Sequence, residues 1–168
     1  MKSVRTHIFC YDDYRAYSDE VRKSLADTPR CQVMSFLTTE ELLSRIEKDK
    51  GRQYCKIAII GLHENREHIE MVEWLTAEIK KRDHTTGLIL LGPPEKIDEI
   101  KKAIRFNIVA YIPKNANYLL RVSNTVKKFV SEHSIEILRR RRNYSLYLFM
   151  LVLLLSLLSV IVIRFILK

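Results

Sequence analysis

Apolar and polar positions along the chain switch between a short-range and a helical period. His7-Ile8-Phe9-Cys10-Tyr11 is a compact run of aromatic and branched residues, the pattern of a buried strand. Tyr14, Tyr17, Val21 and Leu25 then recur at spacings of three and four, which predicts an amphipathic helix closed by Pro29. Cys31 to Leu37 alternates as a second strand, and Thr38-Thr39-Glu40-Glu41 supplies a capping box for a helix carrying Leu42, Leu43 and Ile46. A turn at Lys48 to Gln53, with Gly51, leads into Lys56-Ile57-Ala58-Ile59-Ile60-Gly61-Leu62. That run is continuously apolar after its lysine, as a mid-sheet parallel strand covered on both faces should be. Met71, Val72, Trp74, Leu75 and Ile79 mark the next helix, which ends in Lys80-Lys81-Arg82, where cations suit the helix dipole. Gly87 to Leu91 reads as a fourth strand, and Gly92-Pro93-Pro94 starts a helix over Ile97, Ile100 and Ile104. Ile108 to Ile112 is a fifth strand, followed by a helix from about Asn117 through Val130 toward a run of arginines. Strand and helix alternate five times. Such alternation predicts an α/β domain with a parallel sheet, helices on both faces, right-handed crossovers, and ligand contacts at the carboxyl ends of the strands.

The C-terminal stretch follows neither period. From Asn143 to Ile163 there is no charged residue, proline or glycine. At about 1.5 Å per residue, roughly 21 helical residues reach about 30 Å, the thickness of a bilayer's hydrocarbon core. The four arginines Arg139, Arg140, Arg141 and Arg142 precede this run, and Arg164 and Lys168 follow it. The bias of basic residues toward the cytoplasm then places the N-terminal domain on the cytoplasmic side of a single-pass span. Tyr144 and Tyr147 stand where interfacial aromatics belong. The expected division is a domain over 1–132, a basic juxtamembrane segment over 133–142 and a transmembrane helix over 143–168. Ser145, Ser156 and Ser159 do not form the four-residue spacing of a close-packed helix dimer.

The formal charge of +9 changes meaning once it is divided. The arginine run holds four of these charges and Arg164 and Lys168 two more, leaving +3 for the rest. Basicity gathered at a membrane junction suits anionic lipid headgroups, at roughly 1 kcal/mol per residue, and argues against nucleic-acid binding. The three cysteines, Cys10, Cys31 and Cys55, each fall in a strand-like run. An odd count without framework spacing predicts buried, reduced thiols and no structural disulfide.

Other constellations carry little chemistry. His63 and His68 are five apart, not the four of a zinc helix, and read as a solvated loop. Gly92-Pro93-Pro94 lacks the glycine spacing and the Lys-Ser/Thr of a phosphate loop, and its prolines remove amide donors. No nucleophile, base and acid set is present, and no cofactor is expected.

At the expected strand ends stand Tyr11-Asp12-Asp13, Gly61-Leu62-His63, Gly92, and Tyr111-Ile112-Pro113-Lys114. These residues, over about 4 to 131, resemble the receiver domain of bacterial two-component response regulators. The resemblance implies a flavodoxin-like sheet of order 2-1-3-4-5. It also implies an acidic pair for Mg²⁺ at Asp12 and Asp13, and an aromatic and lysine at Tyr111 and Lys114. The sequence departs from the family at decisive places. Gly61 stands where the phosphoacceptor aspartate belongs, and Gly92 where the family has a hydroxyl. Pro113 precedes Lys114, whereas in the family a proline follows the lysine. Asp12 and Asp13 without a third carboxylate would bind Mg²⁺ weakly, so no metal site is assigned. Lys114 instead is expected to pair with Asp12 or Asp13 and close the pocket.

The resulting expectation is a pseudo-receiver without enzymatic activity. It would be anchored in a bacterial inner membrane and act as an adaptor or assembly subunit in a signalling, secretion or motility complex. In response regulators the fourth helix, fifth strand and fifth helix commonly carry partner contacts; here that region includes Lys101, Ile104 and Tyr111. Partners would be membrane proteins or further copies, met through this face or the transmembrane helix. Two other readings stay open: a sensor binding a nucleotide or small anion through Lys114 and backbone amides, and an atypical phosphoacceptor using Asp12 or Asp13.

Overall fold

The computed structural model describes residues 5–11, 15–25, 28, 30–51, 54–62, 66–103 and 108–166. The strands are β1 (Thr6–Tyr11), β2 (Cys31–Phe36), β3 (Cys55–Gly61), β4 (Gly87–Gly92) and β5 (Ala110–Pro113). The helices are α1 (Arg15–Ser24), α2 (Thr39–Lys48), α3 (Arg66–Arg82), α4 (Ile97–Ala103) and α5 (Tyr118–Ile166). Every strand pair is parallel, in the order β2-β1-β3-β4-β5. This is the flavodoxin-like arrangement that the resemblance implied. The chain divides into two compact units, Met1–Ser131 and Glu132–Lys168, with α5 contributing to both.

Strand alternation sends successive side chains into two cores. Phe9, Tyr11, Ala58, Ile60, Leu88 and Leu90 face Leu42, Ile46, Val72, Leu75 and Ile100 of α2, α3 and α4. Ile8, Cys10, Ile57, Ile59, Ile89 and Leu91 face Val21 and Leu25 at α1 and Val122 and Val126 of α5. β3 lies mid-sheet and is buried along its whole length. Thr38 caps α2, its hydroxyl accepting the Glu41 amide hydrogen at 3.3 Å. The expected helix start after Gly92 is a 3₁₀ turn, Pro94–Lys96, that leads into α4.

Three local expectations change. Trp74 is not a core residue but 51% exposed, because the buried stripe of α3 runs through Ile69, Val72, Leu75 and Ile79 and position 74 falls about 100° off it. β5 starts at Ala110, opposite Ile89, instead of Ile108, although the Val109 amide donates to Leu88 O at 2.8 Å. Cys31 is only half-buried because β2 is an edge strand. Cys10 and Cys55 are buried, and none of the three cysteines is in a disulfide. Burial, then the nearby Cys31, push the Cys55 thiol up to about 12 against an opposing hydrogen bond from Thr6, so it is inert at neutral pH.

Gly87 is required by α5. A Cβ there would stand 2.7 Å from Cζ and 2.9 Å from Cε1 of Phe129, so the ring packs directly on the β4 backbone. A buried charge network braces the amino end of the sheet. Lys56, buried at the start of β3, pairs with Asp83 just after α3 and donates to Asp49 O at 3.0 Å. His7 Nδ1 lies 2.7 Å from Asp49 Oδ2, and Arg45 lies 3.4 Å from the same oxygen. Asp83 also accepts from the Thr85 hydroxyl at 2.6 Å and the Thr85 amide at 3.0 Å. Burial works to raise the Asp83 carboxyl, but the Lys56 and Thr85 hydrogen bonds and the Lys56 charge outweigh it and hold it below the usual carboxylate range.

Gly87→Ala is expected to lower stability by about 1–3 kcal/mol in chemical denaturation, because the Phe129 ring must move. Lys56→Met strands the Asp83 carboxylate and should cost about 3–5 kcal/mol, most of it recovered in Lys56→Met/Asp83→Leu. Since Asp83 has a depressed folded pKa, its contribution is full above the ordinary carboxylate value of about 4 and is lost as pH falls through the lower folded value. Unfolding free energy measured down that range should therefore fall less steeply in Asp83→Asn than in the parent.

Candidate functional site

The sheet order brings the carboxyl ends of β1, β3, β4 and β5 side by side. Gly61 ends β3 opposite Leu91, and Gly92 ends β4 opposite Pro113. Gly61, Gly92 and Lys114 thus converge at one edge, as sequence placed them. Asp12 and Asp13 belong to the same candidate site but lie outside the described residues, so their pairing with Lys114 has no geometry here. His63 also falls outside.

The local backbone is drawn tight. The Leu62 amide donates to Leu91 O at 2.6 Å, and the Lys114 amide donates to Gly92 O at 2.8 Å, carrying the β3–β4 and β4–β5 spacing past the strands. Asn115 then turns the chain into α5. Its side-chain oxygen accepts the Asn117 amide at 3.2 Å and its carbonyl accepts that of Tyr118 at 3.0 Å. Leu62 is buried. A Cβ on Gly92 would stand 3.1 Å from Ile100 Cδ1 and 3.5 Å from Leu62 Cβ, so a side chain there would need the end of Ile100 to give by a few tenths of an ångström.

Beneath this edge lies a cavity of about 10 Å³, lined by Cys10, Tyr11, Ser18, Val21, Ile59, Gly61 and Leu91. That is at most room for one water. Neither Gly61 nor Leu62 carries a carboxylate, and no group of three metal-ligating side chains occurs among the described residues. Chemically, the described part of the site offers packing and backbone hydrogen bonds, and no phosphoryl acceptor.

On the expected partner face, Tyr111 is half-buried against the α2/α3 core, and burial pushes its hydroxyl up. Lys101 is exposed, 3.6 Å from Asp98. Ile104 lies outside the described residues. Arg139 is exposed, while the side chains of Arg140, Arg141 and Arg142 are outside those described. Among the described residues, no helix is long and apolar enough to cross a membrane. The expected span lies in α5, whose described side chains end at Leu155. The sequence reading missed the His7–Asp49 and Lys56–Asp83 network altogether. A lysine heading an otherwise apolar central strand was its one available signal.

No protein family model matches the chain, and no curated protein matches it. Solved structures do. A response regulator receiver domain from Clostridium thermocellum superposes with a TM-score of 0.61 at 16% identity, covering 77% of this chain and 98% of its own. A CheY-like receiver domain protein from Methanospirillum hungatei JF-1 gives 0.56 at 20%, covering 79% and 98%. A pilus assembly-related protein from Burkholderia pseudomallei K96243 gives 0.55 at 8%, covering 78% and 93%. At these identities the likeness is one of architecture: the N-terminal part of this chain has the receiver fold.

Proposed function

We propose that this protein is a phosphorylation-independent pseudo-receiver, a non-catalytic binding module held at a membrane by its C-terminal helix. The observation that carries the first half is the end of β3. Gly61 and a buried Leu62 occupy the acceptor position, and Ile100 and Leu62 pack closely against Gly92. A receiver surface that no phosphoryl group can switch serves as a constant docking face for an adaptor or assembly subunit. The Burkholderia protein, which shares the fold, is a pilus assembly-related protein, and this favours the secretion and motility side of that range.

Membrane attachment is supported by the run from Asn143 to Ile163 and by the state of its first half. Leu146 through Leu155 are ten consecutive exposed apolar residues on one helix. At 3.6 residues per turn they cover every face, and each large side chain gains roughly 1.5–3 kcal/mol on leaving water. A surrounding lipid phase satisfies all faces at once. The arginine run sets the domain on the cytoplasmic side of a bacterial inner membrane, against anionic headgroups.

Full-length protein is expected to float with phosphatidylglycerol-containing vesicles and to resist extraction by high salt and alkali, while a chain ending at Ile137 stays in the soluble fraction. Incubated with acetyl phosphate and Mg²⁺, both forms should keep their intact mass. A mass increase of one phosphoryl group that disappears in Asp12→Asn or Asp13→Asn would overturn the phosphorylation-independent reading in favour of an atypical acceptor.

A further inference from the structure

The two edges of the sheet are built differently. β5 is four residues long and ends in Pro113 followed by Lys114, a short edge blunted by proline and charge. β2 is six residues long, Cys31-Gln32-Val33-Met34-Ser35-Phe36, with no charge and no proline. It pairs with β1 on one side only. Among the described residues, no backbone group from Gln32 to Phe36 bonds outside that ladder. Gln32 and Ser35 are exposed, and the other four side chains are half-buried. An uncharged edge strand of this kind is a template for another strand, and proteins that do not use such an edge protect it.

A cavity of about 320 Å³ opens at the carboxyl end of this same edge. Its walls are Ser18, Asp19 and Arg22 of α1, Ser35, Phe36 and Leu37 at the end of β2, and Glu41 of α2. Among its described lining residues two carboxylates accompany one guanidinium, an acidic balance on a chain whose formal charge is +9. Phe36 and Leu37 give it an apolar wall, and Leu37 is 45% exposed. A long basic side chain matches both features, its methylene stem on the apolar wall and its cation between Asp19 and Glu41.

We propose that β2 is a strand-addition site for an extended partner peptide that places a lysine or arginine in the Asp19–Glu41 cavity. Backbone hydrogen bonds along β2 supply affinity, and the acidic cavity supplies register and choice of partner. This rests on reading the domain as a binding module and assigns that module a surface remote from Lys101 and Tyr111. An acidic peptide is disfavoured by the two carboxylates. A second copy pairing β2 to β2 would leave the cavity's charge without a use.

The test uses full-length protein in detergent micelles and two fluorescent synthetic peptides of alternating Val and Thr, one ending in Arg-Lys and one in Glu-Glu. Fluorescence anisotropy should show saturable binding of the basic peptide alone. Asp19→Asn/Glu41→Gln should weaken it by about tenfold or more, as loss of close charge pairs does. Gln32→Lys/Ser35→Lys, both at exposed positions, should abolish it while circular dichroism stays that of the parent. Equal binding of both peptides, or no effect of the carboxylate pair, overturns the proposal. So does a dimer that the lysine pair dissociates while no peptide binds, an outcome that gives the edge to a second copy. Phosphoryl uptake or release from membranes in the experiments above would sink the functional reading and leave this binding result standing.

Discussion

Burial of β3 on both faces is the constraint from which the rest of the domain follows. A strand with no solvent face has to sit mid-sheet, and it must send alternate side chains into separate hydrocarbon layers. Ile57 and Ile59 therefore call for one pair of helices, and Ala58 and Ile60 for another set. The crossovers that supply them leave β2 and β5 as the only edges. The second residue of the same strand is a buried lysine, and its ammonium is met by the Asp83 carboxylate and the Asp49 carbonyl. Structure at one end of β3 is thus held by charge, and at the other by hydrocarbon and backbone bonds.

This polarity distinguishes the two ends of the sheet. At the carboxyl end, where an α/β sheet of this topology usually meets ligands, the described residues around Gly61 line a cavity of only about 10 Å³. The larger cavity lies instead at the rim, beside β2.

Most of the fold was legible because its elements carry strong periods. The strands at His7, Lys56 and Gly87 are short apolar runs, and α2 announces itself through Thr38 and Glu41. Strand order was not readable from periodicity and came from the resemblance. What sequence missed depends on contacts distant along the chain. Nothing near Lys56 indicates that its partner is Asp83, and nothing near Gly87 indicates that a ring from Phe129 lies over it. Trp74 is exposed although it stands among apolar residues: its neighbours four away are Glu70 and Glu78, which put it on the polar side of α3. Of the candidate site, Gly61 and Gly92 lie at the ends of β3 and β4 and Lys114 follows β5, positions that apolar runs alone make legible. The close packing of Ile100 was invisible, since it arrives from a helix on another layer.

The fit of Ile100 over Gly92 bears on what that strand end can tolerate. A serine or threonine introduced at position 92 would press on Ile100, which has to yield by a few tenths of an ångström before the new side chain fits. Packing of this kind ties the end of a strand to a helix on another layer: a substitution at position 92 is felt first in the rotamer of residue 100, and the two positions vary together or not at all.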